Sequence, residues 1–173
     1  MGSFSARPFL IRIAKLTDSE AASALLIASY SSLLAAHYDR DLLGRALPHL
    51  TTANLTLLAS GTYYVAEGGP GKVVGCGGWT AANPESGEIT EGEAHIRHFA
   101  THPEWVRRGI GTTLLARCLS EARSTGTRKL YCCSTLNAER FYRASGFDTV
   151  GPIEVPMGPS LAFPGILMSR EVA

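Results

Sequence analysis

Phe99-Ala100-Thr101-His102-Pro103-Glu104-Trp105-Val106-Arg107-Arg108-Gly109-Ile110-Gly111-Thr112 is the stretch from which the rest of the chain can be read. Ala94 to Thr101 has the branched and aromatic character of a strand, and Pro103 marks its exit. From Ile110 onward, Ile110, Leu114, Leu115, Cys118, Leu119 and Ala122 recur at helical spacing. The segment is therefore a strand, a short loop and the first turn of a long amphipathic helix. A helix start carries unpaired N–H groups and a partial positive charge. Gly109 and Gly111 let an anion come close to that backbone. Arg107 and Arg108 add local positive charge to a chain whose formal net charge is only +1. Two glycines alone would describe an ordinary turn; with the arginine pair and the strand–loop–helix context they describe a phosphate cradle. It is neither of two familiar ones. The nucleotide P-loop ends in Gly-Lys-Ser/Thr, which is missing, and the dinucleotide fingerprint needs a third glycine where Leu114 stands.

Downstream, Lys129 to Ser134 reads as a strand and Asn137 to Ser145 as a short helix stopped by Gly146. Phe147 to Val150 and Gly165 to Ser169 read as two closing strands. Upstream, Phe9 to Ala14 reads as a strand, and Thr17-Asp18-Ser19-Glu20 supplies a helix start. The stretch from Ser31 to Ser60 reads as helix in two pieces, interrupted near Gly44 and Pro48. Thr62 to Glu67 and Lys72 to Thr80 form a hairpin about Gly68-Gly69-Pro70-Gly71. Gly75, Gly77 and Gly78 in its second arm mark a bulge or the close approach of another group. Ala82 to Gly92 is polar and reads as a surface loop. This order predicts an α/β protein: a mixed sheet with helices on its faces. With no internal repeat or linker, the expectation is one domain over residues 1–173.

Composition narrows the function classes. With 45% apolar and 18% charged residues the chain has the makings of a folded core. Its near-neutral charge offers no field for nucleic acid or an anionic membrane. No apolar run approaches a membrane span, and Met1 to Ala14 lacks the form of a signal peptide. Cys76, Cys118, Cys132 and Cys133 have neither zinc-site nor redox-pair spacing. They read as small apolar residues in a reducing compartment, so a cytoplasmic protein without metal is expected. Cys132 and Cys133 would point to opposite faces of their strand.

At this point a resemblance enters. Val106-Arg107-Arg108-Gly109-Ile110-Gly111 resembles the acyl-CoA signature of the GNAT superfamily, Gln/Arg-x-x-Gly-x-Gly/Ala. Val106 replaces the usual Gln or Arg, which removes one side-chain contact and leaves the backbone cradle intact. Ser134-Thr135-Leu136-Asn137-Ala138-Glu139-Arg140-Phe141-Tyr142-Arg143-Ala144-Ser145-Gly146-Phe147 resembles the family's second cofactor motif, and the strand–helix order matches over nearly the whole chain.

The resemblance implies a GNAT-like acyl-CoA N-acyltransferase fold with a central splayed mixed sheet, and acetyl-CoA as co-substrate without a metal. Pantetheine would lie along the fourth strand against Phe99 and Thr101, with Ala100 between them. The pyrophosphate would take N–H groups from Arg107, Arg108, Gly109, Ile110, Gly111 and Thr112. Tyr142 would contact the cofactor and protonate its leaving thiolate, and the Phe99 N–H would polarise the thioester carbonyl. Asn137 would either bond the cofactor or cap its helix. The base that takes the amine's proton would be His95, Glu93 or a water they hold. By the period of two, His95, Arg97 and Phe99 would share one strand face and His98 the other.

The acceptor would be an amine, on a small molecule or a protein. Glu85, Glu88, Glu91 and Glu93 form an acidic loop that either attracts a cationic amine or is simply solvated. Tyr30 and Tyr38 lie where the family places acceptor-site residues. Homodimers are common among such folds. Two alternatives stand beside catalysis: a module that holds acyl-CoA without turning it over, and a nucleotide-binding protein that uses the same helix start.

Overall fold

The structure, a computed structural model, describes residues 8–172. Of the N-terminal segment read for a signal peptide, residues 1–7 lie outside the described residues. The chain runs β1 (Leu10–Ile13), α1 (Ser19–Leu33), α2 (Arg40–Leu50), α3 (Leu55–Leu58), β2 (Tyr63–Glu67), β3 (Val73–Thr80), β4 (Glu93–Thr101), α4 (Ile110–Ser124), β5 (Lys129–Ser134), α5 (Glu139–Ala144), β6 (Asp148–Pro156) and β7 (Ala162–Glu171). The strands form one seven-stranded sheet in the order β1-β2-β3-β4-β5-β7-β6. Every neighbouring pair is antiparallel except β4 and β5. Those two are joined by the long helix α4, the kind of crossover a parallel pair requires.

Both faces of the sheet are covered, so alternate residues feed different cores. Tyr64, Ala66, Ala94, Ile96, Leu130 and Cys132 pack with Ile110, Leu114, Leu115 and Cys118 of α4. Tyr63, Val65, Cys76 and Ala100 pack on the other side with Leu25, Leu26, Leu57 and Leu58 of α1 and α3. This is why the central strands read as nearly continuous apolar runs. Cys132 is buried and Cys133 exposed, as alternation requires.

The helical region departs from expectation. α2 runs through both Gly44 and Pro48 without a break, and the interruptions fall instead at 34–39 and 51–54. An interior Gly costs about 1 kcal/mol and an interior Pro about 3. Against this, Asp39 caps the helix by accepting the N–H groups of Asp41 and Leu42, each at 3.1 Å. Leu43 and Ala46 are buried, with Leu42, Leu47 and Leu50 packed beside them. Tertiary packing outweighs the local penalty.

The sheet edge is tied to α1 by charge. The Arg12 guanidinium donates to both carboxylate oxygens of Asp18, at 2.8 and 2.7 Å, and to Glu67 at 2.9 Å. Asp18 also accepts the Lys15 N–H at 2.7 Å. The hydrogen bonds from Arg12 hold the Asp18 carboxyl below its ordinary value of 3.8, against the opposing effect of burial. The contribution to stability is therefore fully present above the ordinary carboxylate value and is lost as pH falls through the depressed one. Asp18→Asn is expected to cost about 1.5–3 kcal/mol at neutral pH. Denaturant melts at neutral and strongly acidic pH should show that difference closing in acid.

Candidate active site

The parallel pairing of β4 and β5 is brief: Glu93 with Lys129, Ala94 with Leu130, His95 with Tyr131. Beyond it β4 continues along β3 to Thr101, while β5 continues along β7 to Ser134. The two halves of the sheet therefore part into a wedge, which opens towards the start of α4. A cleft of about 1530 Å³ runs through it. That exceeds the about 300–1,000 Å³ of a single-ligand pocket, so there is room for two molecules to meet.

At one end of the cleft the backbone is arranged for an anion. Arg107 and Gly109 both take left-handed conformations, with φ of 61° and 83°. For arginine this is a strained conformation costing about 1–2 kcal/mol. The left-handed Gly109 directly before the right-handed turn of α4 is the kind of pairing that turns successive N–H groups towards one concavity. Gly109 is the N-cap of α4, and no side chain caps it. The helix ladder begins with the Thr113 N–H on the Gly109 carbonyl at 3.0 Å, so the amides of Ile110, Gly111 and Thr112 precede it. A Cβ on Gly111 would come within 3.1 Å of the Phe141 ring.

Of the residues named for this end, Arg107, Gly109, Ile110, Gly111 and Thr112 line the cleft. The Arg108 side chain is occupied elsewhere, with its guanidinium 4.6 Å from the Trp105 ring centroid, a cation–π contact. Asn137 does not cap its helix. Its Oδ1 is buried without a hydrogen-bond partner, and the residue lines the cleft. A buried, unpaired carbonyl oxygen costs free energy that a donor on a bound molecule would relieve.

Opposite the glycines of β3, β4 carries an extra residue that the period of two does not show. Cys76 pairs with Ala100 and Gly78 with Arg97, so His98 and Phe99 together oppose Gly77 alone. This is a β-bulge, with His98 at φ 50°. It inverts the alternation and corrects the expected faces. Ala94 and Ile96 pack towards α4, which puts His95 and Arg97 on the other face. Phe99 does not join them; it lies over Gly77, where a Cβ would meet its ring at 2.5 Å. Phe99 packs with the α4 core, its ring centroid 6.3 Å from that of Tyr142. His98 sits on the α1 side and donates through Nε2 to the Leu50 carbonyl at 2.8 Å. Burial lowers its pKa, so it is a neutral structural histidine. Tyr63 donates to the His98 carbonyl and Tyr30 to the Phe99 carbonyl, both at 2.8 Å. The bulge is thus pinned from the α1 side. The His102 N–H turns to Val74 of β3; Thr101, one residue earlier, therefore presents its backbone groups to the wedge.

The candidate acid and bases converge on the same cleft. Tyr142 is buried, edge-on to Phe141 and Phe147 at 5.0 and 5.5 Å. Burial first, and then the neighbouring Cys132, hold its phenol far above the ordinary value, so it stays protonated. His95 stacks on Tyr131 at 5.7 Å and lines the cleft. Burial lowers its pKa, with Glu93 opposing and Arg97 assisting, so it is neutral at physiological pH. Glu93 is the first residue of β4 and accepts from the Tyr131 hydroxyl at 3.4 Å. Of the acidic loop, Glu85 and Glu93 line the cleft. Tyr30 lines it as well, whereas Tyr38 is structural: its hydroxyl donates to the Pro164 carbonyl and accepts the Leu136 N–H. Among the described residues, no group of three or more His, Cys, Asp or Glu is placed to hold a metal ion. Nor is any helix long and apolar enough to cross a membrane.

Known proteins share this fold. The fold is that of a GCN5-related N-acetyltransferase from Rhodopseudomonas palustris, with 19% identity, 94% of each chain covered and a TM-score of 0.74. It is also that of the PaiA N-acetyltransferase from Thermoplasma acidophilum, solved in complex with coenzyme A, with 16% identity, 94% of this chain and 98% of that one covered, and a TM-score of 0.68. Ard1 from Thermoplasma volcanium has 20% identity and a TM-score of 0.66, with 96% of this chain and 99% of that one covered. Residues 27–147 match the acetyltransferase (GNAT) family. With its mixed, splayed sheet and the open helix start beside the wedge, the chain belongs to the GNAT acetyltransferase family.

Proposed function

We propose that the protein transfers the acetyl group of acetyl-CoA to an amine by direct attack within a ternary complex. The observation that carries this reading is the uncapped start of α4, opening beside a sheet that parts after His95. Bound there, acetyl-CoA would supply an activated acyl group as a thioester. The amides of Ile110, Gly111 and Thr112 would hold its diphosphate, with Arg107 adding charge. Thr101 and Phe99 would present backbone groups to the pantetheine arm, and Asn137 would accept a donor from it. Phe99 N–H would stabilise negative charge growing on the thioester oxygen.

His95, neutral and in the cleft, would take the proton that the amine loses as the C–N bond forms, directly or through a water shared with Glu93. As the C–S bond breaks, Tyr142 would give its proton to the departing sulfur. A phenol held neutral by burial suits this step, because a thiolate formed in the same desolvated place is itself made more basic.

A thiol-release screen of amines with acetyl-CoA tests the reading: turnover with at least one amine supports it, and CoA binding without turnover favours a module that holds acyl-CoA without turning it over. For an active pair, kcat/KM should fall on an acid limb whose midpoint lies below the ordinary histidine value of 6.5. The limb lies there because His95 must be deprotonated to act and its pKa is lowered. His95→Gln should remove the limb and lower kcat/KM about 10²-fold.

A further inference from the structure

Arg97 is a charged group in the cleft to which the proposed mechanism gives no task. Its backbone follows His95 by two residues on the same strand, before the bulge, so the two side chains stand on one face about 6–7 Å apart at their origins. Both line the cleft. The guanidinium carries five N–H donors, and one of them, on Nη1, reaches the Thr80 hydroxyl at 3.1 Å. Among the described residues, no carboxylate forms an ion pair with it; the pairs observed are made by Arg12, His102, Arg117 and Lys129. The side chain is half-buried, and burial lowers its pKa. Among the described residues its side-chain hydrogen bond is to a neutral hydroxyl, so a half-buried cation keeps donors to spare for an anion in the cleft. Planar paired N–H groups are the geometry that binds a carboxylate in bidentate fashion. Glu93, two residues before His95 and also lining the cleft, puts negative charge where a protonated amine would arrive.

We infer that the acceptor is a small aminocarboxylate, its carboxylate held by Arg97 and its amine directed to His95. The inference rests on the proposed acetyl transfer and names the substrate class of that same site. Arg97 is then a specificity residue: it fixes which amines reach the thioester and takes no proton itself.

The test reads binding, so that it stands apart from turnover. Free amino acids and their carboxamides, matched in side chain, are titrated into the CoA-loaded protein by calorimetry. At least one free acid is expected to bind about 10-fold or more tightly than its amide. In Arg97→Gln that ratio should fall to about one, and Arg97→Lys, which keeps the charge without the paired donors, should retain part of it. CoA affinity measured on each variant reports whether the cleft is still folded. Equal binding of acids and amides to the unaltered protein, no binding by any free acid, or an unchanged ratio in Arg97→Gln would overturn the inference. Selective binding of an acid that is never acetylated would leave Arg97's role standing and sink the transferase reading instead.

Discussion

Tyr142→Phe is expected to lower kcat by about 10²–10³-fold while changing CoA affinity by less than about 3-fold. The ring would keep its place among Phe99, Phe141 and Phe147, so the wall of the cleft would survive. What is lost is one proton. A thiolate leaving into a desolvated wedge would have to wait for water or recapture the acetyl group. Because the hydroxyl acts on a group that develops charge only as the C–S bond breaks, the loss should fall on kcat and leave the KM for acetyl-CoA nearly unchanged. Steady-state kinetics beside a CoA titration check both halves. An unchanged kcat would mean that a different donor serves the sulfur.

Thr112→Glu should move stability and cofactor binding in opposite directions. Gly109 is the N-cap of α4, so Thr112 is the third helical residue, and no acid stands in the first turn at present. A glutamate there can fold back on the Gly109 N–H, as in a capping box. It would also meet the positive end of the helix dipole, for a gain of about 0.3–1 kcal/mol. The same carboxylate would stand near the amides that a diphosphate needs. A unit charge about 8 Å from a doubly charged group costs about 2–4 kcal/mol at an effective dielectric of about 20–40. CoA affinity should drop on the order of 100-fold, while the melting temperature of the ligand-free protein holds or rises. Loss of affinity together with a lower melting temperature would point to simple misfolding.

What the chain reveals locally, it reveals well. The anion-site reading of the helix start at Gly109 rested on helix physics and the arginine pair, its assignment to residues 107–112 rested on the family resemblance, and the structure has an uncapped helix start at Gly109. Gly75 and Gly77 were legible as points of close approach, and Ile110 and Phe99 lie over them. A bulge was one of the two readings of those glycines, but that β4 would carry the extra residue was not legible. The bulge is held by tyrosines that are 35 and 69 residues away from the carbonyls they bond, and a period of two carries no sign that one residue will be skipped. The path of α2 through Pro48 was hidden for a related reason: propensity is local, whereas the burial that overrides it is not. Arg97 looked like any strand arginine, because a missing partner cannot be read from a sequence.

The claim beneath all of this is that the amides opening α4 are kept free for an anionic ligand beside the wedge in the sheet. A titration of nitrogen-labelled protein with CoA, followed amide by amide in solution, tests it most directly. The resonances of Arg108 to Thr112 are expected to move furthest, together with those of Phe99 and Thr101. Saturable CoA binding that leaves those amides still, or no binding at all, would contradict it.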